Sequence, residues 1–121
     1  MSRTTGQTGS RENSREAKSV LHGRRQIDAV DRALVRLLNR RMGLSIRVGH
    51  LKKICGMPLF DKAREREIFR QAALTNGGPL DRRTLIGFYR WLLAQSRRQT
   101  RRALIGTGNR ETSRRARRER T

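Results

Sequence analysis

Residues 24–55 read RRQIDAVDRALVRLLNRRMGLSIRVGHLKKIC, and this stretch decides the fold class. Apolar side chains recur in it at intervals of three or four residues, at Ile27, Val30, Leu34 and Leu38, and again ten residues later at Val48. Such spacing is typical of one face of an α-helix, and it extends well beyond the ~11–12 residues of an average helix. The stretch therefore predicts one unusually long amphipathic helix.

Two cations interrupt the apolar face of this helix. Steps of three and four residues from Leu38 lead to Arg41, Ser45, Val48 and Lys52. A buried cation without a partner costs several kcal/mol, so a cation on a buried face normally has an anionic partner. Arg41 and Lys52 point the same way, with their Cα atoms about 16 Å apart. We therefore expect them to bracket a small anion.

The composition indicates one small domain that attracts anions. The chain has 121 residues, of which 34% are hydrophobic, and a net charge of +20. Residues 24–105 alone carry twenty positive and six negative charges, so the excess lies mainly in the predicted helical region. A charge of this size predicts attraction to anions of many kinds, including nucleic acid, without identifying which.

Other features of the sequence favour a cytoplasmic protein without a metal site. Cys55 is the single cysteine, which excludes an intrachain disulfide. His22 and His50 do not have the spacing of metal ligands. No apolar run approaches the ~20 residues of a membrane span, and the polar N-terminus lacks the apolar region of a signal peptide.

The chain divides into a helical domain at residues 23–105 and two tails. Residues 1–22 are polar and predicted to be disordered, and residues 106–121 are predicted to form an Arg-rich tail. Within the domain, a second helix is expected at residues 62–74 and a third from residue 82 to about residue 105. Asp61 and Asp81 are their expected N-caps, and no segment favours a strand. The fold class is therefore all-α, with three helices per chain.

One long helix and two shorter ones cannot bury their apolar faces within a chain of this size. A second copy would supply the missing surface. We therefore expect an α-helical homodimer in which the long helices pack together.

Polar residues also interrupt the apolar faces of the other two helices. Glu65 precedes Ile68 and Phe69 by one turn, and Ser96 follows Leu92 by one turn. Gln99 and Thr100 lie a further turn along. Each alone is commonly a helix-flank or filler residue, but cations, a carboxylate and hydroxyl or amide groups from three helices together predict a pocket for a small polar anion.

Four segments resemble the all-helical chorismate mutase family: IDAVD (27–31), LLNRRM (37–42), VGHLKK (48–53) and MPLFDKARERE (57–67). The resemblance covers roughly residues 21–102. It implies an intertwined dimer of three-helix chains that converts chorismate to prephenate, in the biosynthesis of phenylalanine and tyrosine.

The resemblance also implies roles for individual residues. Arg41 and Lys52 match the pair that holds the substrate, and Lys52 also contacts the ether oxygen. Arg24 matches an arginine contributed to the partner subunit's site. The remaining matches surround the substrate's hydroxyl and carboxylates, and they are Asp61, Arg64, Glu65 and Ser96.

The sequence departs from the family pattern at one position. The family commonly has Gln, sometimes Glu, four residues after the serine, where it helps to bind the ether oxygen. This chain has Thr100 there, and Gln99 lies ~100° around the helix from it. We take Arg41, Lys52, Glu65 and Thr100 as candidate catalytic residues and Arg24, Asp61, Arg64, Ser96 and Gln99 as candidate substrate-binding residues.

The implied reaction is an intramolecular Claisen rearrangement, which needs no nucleophile, metal or redox cofactor. Arginine suits the substrate's carboxylates because its planar fork binds them in a bidentate manner. A lysine suits the ether oxygen because it is a compact point charge.

Two other functions remain open from the sequence. A similar cationic pocket could serve an isochorismate pyruvate lyase or an aminodeoxychorismate mutase, although Asp61, Arg64 and Glu65 favour chorismate. Alternatively, the charge could serve a helical nucleic-acid-binding protein, although aromatic residues are only 4% and no recognition motif is present. The Arg-rich tails could also bind nucleic acid or an acidic partner weakly.

Overall fold

The structure is a computed structural model that describes the backbone of residues 5–119 and the side chains of residues 9–106. Within this part of the chain it has three helices and no strand: α1 at Thr5–Ile54, α2 at Lys62–Thr75 and α3 at Arg82–Glu119. The predicted all-α class with three helices is confirmed. The chain forms two units, Met1–Arg40 and Arg41–Thr121. The second contains the last turns of α1 together with α2 and α3.

Helix α1 begins much earlier than the sequence predicts. It starts at Thr5, although residues 1–22 are predicted to be disordered; residues 1–4 of that segment lie outside the described residues. The segment contains no proline to stop a helix. Ser14 and Ser19 lie within the helix, and their hydroxyls donate to carbonyls one turn back, at 2.8 and 3.0 Å.

Helix α1 ends at Ile54, one residue before the predicted end, in a left-handed glycine turn. Gly56 has a φ of 68°, a value that glycine adopts without strain. The amide of Gly56 donates to the carbonyl of Lys53 at 3.3 Å, and the amide of Met57 donates to that of Lys52 at 2.8 Å. These two bonds form a Schellman motif, which satisfies the last carbonyls of α1 and turns the chain toward α2.

The predicted N-caps of α2 and α3 are both present. Asp61 accepts from the amide of Arg64 at 3.1 Å, and Asp81 accepts from the amide of Thr84 at 3.0 Å. The hydroxyl of Thr84 and then its amide lower the pKa of the Asp81 carboxyl. The cap therefore stabilises the folded protein fully when the pH lies above the unfolded-state pKa of Asp81. This stabilisation is lost as the pH falls through the lower, folded-state pKa.

Helix α3 continues to Glu119, whereas the sequence predicts that it ends near Ile105. It therefore includes most of the predicted tail at residues 106–121, of which residues 120–121 lie outside the described part. Gly106 is expected to end the helix as a left-handed cap. In the described part, however, the glycines with positive φ are Gly56 and Gly78. A glycine within a helix costs only ~1 kcal/mol, and the arginines that follow favour helix.

The apolar core of the second unit is small. Among the described residues, the buried hydrophobic side chains are those of Leu92, Leu93 and Leu104, all on α3. Gly49 of α1 is buried, and a Cβ atom built on it would collide with Cγ2 of Thr100 on α3. The missing side chain of Gly49 therefore sets how closely α1 and α3 approach at this point.

The first unit exposes the apolar face that the sequence predicts to be buried. Ile27, Val30 and Leu34 of that face are 46–64% exposed in the single chain. Other apolar side chains of the unit are exposed to a similar degree, and they are Val20, Leu21, Val35 and Leu37. Helices of the described part contain no segment long and apolar enough to cross a membrane.

Candidate active site

One cavity of about 350 Å³ lies within the second unit, and all three helices contribute to it. Seven of the nine predicted site residues line it: Arg41, Lys52, Asp61, Arg64, Glu65, Ser96 and Thr100. Apolar side chains, including Val48, Ile68 and Leu93, complete the wall. The polar interruptions of three separate apolar faces therefore meet at one place, as the sequence predicts.

The cavity is cationic. Among the described residues, five cations line it, from α1 (Arg41, Lys52), α2 (Arg64) and α3 (Arg97, Arg101). Two carboxylates, those of Asp61 and Glu65, oppose them. The resulting excess of positive charge favours an anionic ligand, and the spread over three helices allows more than one carboxylate to be held at once.

Arg41 is oriented by Ser96. The Nη1 atom of Arg41 donates to Oγ of Ser96 at 3.0 Å, and Ser96 is only 7% exposed. A buried hydroxyl that accepts this bond fixes one edge of the guanidinium on α3. The other edge of the planar group keeps its donors for a ligand in the cavity.

Lys52 lies at the end of the cavity formed by the α1–α2 connection. Its Nζ atom donates to the carbonyl of Leu59 at 3.5 Å, which is a long and therefore weak bond. An ammonium has three donors, so this bond leaves two of them for a ligand. Asp61 follows in the same connection, and its carboxylate caps α2 through the amide of Arg64.

Glu65 is held by a residue that the sequence analysis missed. Nη1 of Arg97 forms an ion pair with Oε1 of Glu65, which joins α3 to α2. The guanidinium of Arg97 also lies over the ring of Phe60, with Cζ 5.1 Å from the ring centroid. Its place directly after Ser96 is the sequence feature that could have indicated a role in the site. Because the two residues differ by ~100° around α3, however, the helical pattern alone places Arg97 on the flank of that face.

Thr100, and not Gln99, faces the cavity. Thr100 is 8% exposed and lines the wall, whereas Gln99 is exposed and is absent from it. Helix α3 is therefore not rotated in a way that brings the Gln99 amide to the position of the family's usual Gln.

Arg24 lies in the first unit and does not line the cavity of its own chain.

Groups of three or more His, Cys, Asp or Glu side chains that could hold a metal ion are absent among the described residues.

Comparison with known proteins decides the family. The sequence profile of chorismate mutase type II matches residues 23–101, most of the chain. The chain belongs to this family. The resemblance stated from the sequence is therefore confirmed, and the chorismate mutase type II match covers α1 from residue 23 onward together with the cavity-lining parts of α2 and α3.

Two proteins illustrate the relationship to other chorismate mutases. The bifunctional chorismate mutase/prephenate dehydratase of Aquifex aeolicus is 35% identical over 75 residues, which cover 59% of this chain. The chain spans only 21% of the length of that relative. The solved structure of chorismate mutase (form II) from Thermus thermophilus is 27% identical, with a TM-score of 0.66. That match covers 69% of this chain and 96% of the other.

Proposed function

We propose that this chain is a chorismate mutase, which rearranges chorismate to prephenate in the biosynthesis of phenylalanine and tyrosine. The observation that carries the proposal is the cationic cavity into which three helices send Arg41, Lys52, Arg64 and Ser96. The family match supports the same reaction, and the geometry gives it a mechanism.

Binding is the first part of that mechanism. Chorismate carries two carboxylates and must adopt a compact conformer before its ends can react. Arg41, whose guanidinium is held by Ser96, and Arg64, whose guanidinium pairs with Glu67 on the same helix, offer planar forks for those carboxylates. Holding both at fixed positions selects the reactive conformer, which is a proximity effect.

Stabilisation of the transition state is the second part. Negative charge grows on the ether oxygen as the C–O bond breaks. Lys52 is placed to donate to that oxygen with the donors that Leu59 leaves free. Glu65 and Asp61 bind the substrate's hydroxyl side, and Thr100 supplies a short hydroxyl donor near the ether oxygen. No cofactor takes part in this scheme.

A direct assay tests the proposal. Purified protein is incubated with chorismate, and prephenate formation is followed, with isochorismate and aminodeoxychorismate as parallel substrates. Prephenate formation that depends on Lys52 supports the proposal. Turnover of either parallel substrate in preference to chorismate would assign the cavity to that reaction instead.

Replacing Thr100 by glutamine is expected to raise kcat about tenfold or more, because a longer amide donor then reaches the ether oxygen. Gln99→Ala is the matched control and is expected to leave kcat unchanged, since Gln99 is exposed outside the cavity. Steady-state kinetics on both variants checks this. A fall in kcat for Thr100→Gln together with a fall for Gln99→Ala would assign the donor role to Gln99.

We also propose that two chains form an intertwined dimer in which each completes the other's site. The exposed apolar face of the first unit needs a cover, and Ile27, Val30 and Leu34 have the spacing of a helix–helix seam. A second cavity of about 470 Å³ shares Arg41 and Arg64 with the first and offers space beside the substrate. Arg24 of the partner would enter there.

Mixing two inactive variants tests this dimer. Arg24→Ala and Lys52→Ala are each expected to be nearly inactive alone. Unfolded and refolded together, they should regain about a quarter of wild-type activity, because half of the dimers are mixed and one of their two sites is complete. Ultracentrifugation of the wild type reports the dimer itself. No regain of activity in a confirmed mixed dimer would contradict the shared site.

The exposed and unpaired Cys55 is compatible with a reducing compartment, and we propose that the enzyme acts in the cytoplasm.

A further inference from the structure

Arg97 stands apart from the other arginines of α3. Residues 82–106 contain seven arginines and no carboxylate. The described residues form two ion pairs, Arg97–Glu65 and Arg64–Glu67. Within this part of the chain, Arg97 is therefore the one arginine of α3 that pairs with a carboxylate. The pair is partly shielded, since the side chains of Arg97 and Glu65 are 38% and 20% exposed.

The position of Glu65 gives this ion pair a consequence for binding. Glu65 lines the same cavity as Arg41, Lys52 and Arg64. A carboxylate that is free to move among those cations would be attracted to them and would compete with an anionic ligand. Arg97 draws the Glu65 carboxylate toward α3 and leaves Arg41 and Lys52 of α1 available.

A second contact keeps Arg97 in place. Its guanidinium lies over the ring of Phe60, in the connection that precedes α2. This cation–π contact restrains the guanidinium in addition to the ion pair. Arg97 is therefore bound both to the helix that carries Glu65 and to the loop in front of it.

We propose that Arg97 is a positioning residue that holds Glu65 away from the anion-binding cations and so sets the affinity of the cavity for its dicarboxylate substrate. The inference rests on the proposed function. It predicts that removing Arg97 weakens substrate binding only when Glu65 carries its negative charge.

A double-mutant cycle tests this dependence. Arg97→Met keeps most of the aliphatic stem but removes the guanidinium, and with it both the charge and the contact with Phe60; the loss of that contact is common to both backgrounds of the cycle. It is expected to raise KM for chorismate about tenfold, within the range of coupling found in salt-bridge networks. In the Glu65→Gln background the same change should leave KM within about twofold, because a neutral amide does not compete for the cations. Arg97→Lys should recover most of the lost affinity.

The control is Arg98→Met, which changes an exposed neighbour outside the cavity and is expected to leave KM unaltered. Equal rises in KM for Arg97→Met in both backgrounds would mean that Arg97 acts independently of Glu65, which overturns the inference.

Urea unfolding of the four proteins of the cycle (wild type, Arg97→Met, Glu65→Gln and the double variant) tests the Arg97–Glu65 coupling without substrate. The midpoint is expected to fall for Arg97→Met in the wild-type background and to move much less in the Glu65→Gln background. Absence of chorismate turnover in the wild type would reject the proposed function alone. Equal midpoint shifts in both backgrounds would reject the Arg97–Glu65 coupling.

Discussion

Replacing Lys52 by alanine is expected to lower kcat for chorismate about 10²–10³-fold, the range found when one donor to a developing negative charge is removed. The structure gives the reason. The Nζ atom of Lys52 makes a long 3.5 Å bond to the carbonyl of Leu59 and no ion pair among the described residues, so its charge is available to the ligand. Alanine removes the charge and leaves the helix intact.

The matched control for this variant is Lys53→Ala. Lys53 is the next residue of α1, carries the same charge and is exposed outside the cavity. It is expected to retain wild-type kcat, which separates the loss of one placed ammonium from the loss of net charge. Stopped-flow or steady-state absorbance at saturating chorismate gives the measurement. A Lys52→Ala enzyme with unchanged kcat would rule out Lys52 as the donor to the ether oxygen.

Replacing Gly49 by alanine is expected to destabilise the protein by about 1–3 kcal/mol, the usual cost of forcing an extra carbon into a packed contact. The new Cβ atom would collide with Cγ2 of Thr100 and would lie 3.8 Å from Cδ1 of Leu104. Thr100 is branched at Cβ and buried, so it cannot turn aside freely. Helices α1 and α3 must therefore separate. Urea unfolding measures the change.

Gly43→Ala is the control in the same helix. A Cβ atom at Gly43 meets nothing within 4 Å, so alanine there should stabilise α1 by up to ~1 kcal/mol. Thr100→Ser removes the colliding methyl group and should restore most of the stability lost in Gly49→Ala. Equal effects of alanine at positions 43 and 49 would show that the contact with Thr100 does not limit packing.

Much of the site could be predicted because it rests on local pattern. Arg41 and Lys52 are conspicuous on an otherwise apolar helical face, and Asp61 is recognisable as an N-cap from its place after Pro58. The helical periodicity of α2 and α3 then brings Glu65 and Ser96 to the same cavity. The spacing of residues along single helices marked these positions, and the resemblance to the chorismate mutase family implied their roles.

The rest depends on contacts between elements that no single pattern contains. The ion pair of Arg97 with Glu65 joins residues 32 positions apart and also depends on Phe60 in a loop. Helices α1 and α3 are longer than the sequence predicts, because the polar composition of residues 1–22 and 106–121 is also compatible with helix. Serine can lie within a helix with its hydroxyl bonded to a carbonyl one turn back, as Ser14 and Ser19 do, so a serine-rich segment need not be irregular.

The close approach at Gly49 also restricts the order in which this sequence can change. While Thr100 keeps its branched side chain, any larger residue at position 49 meets the methyl group. An unbranched residue at position 100, glutamine included, would remove that obstacle. Substitution at position 49 is therefore expected to cost stability while Thr100 is present, and to cost little once position 100 carries an unbranched side chain.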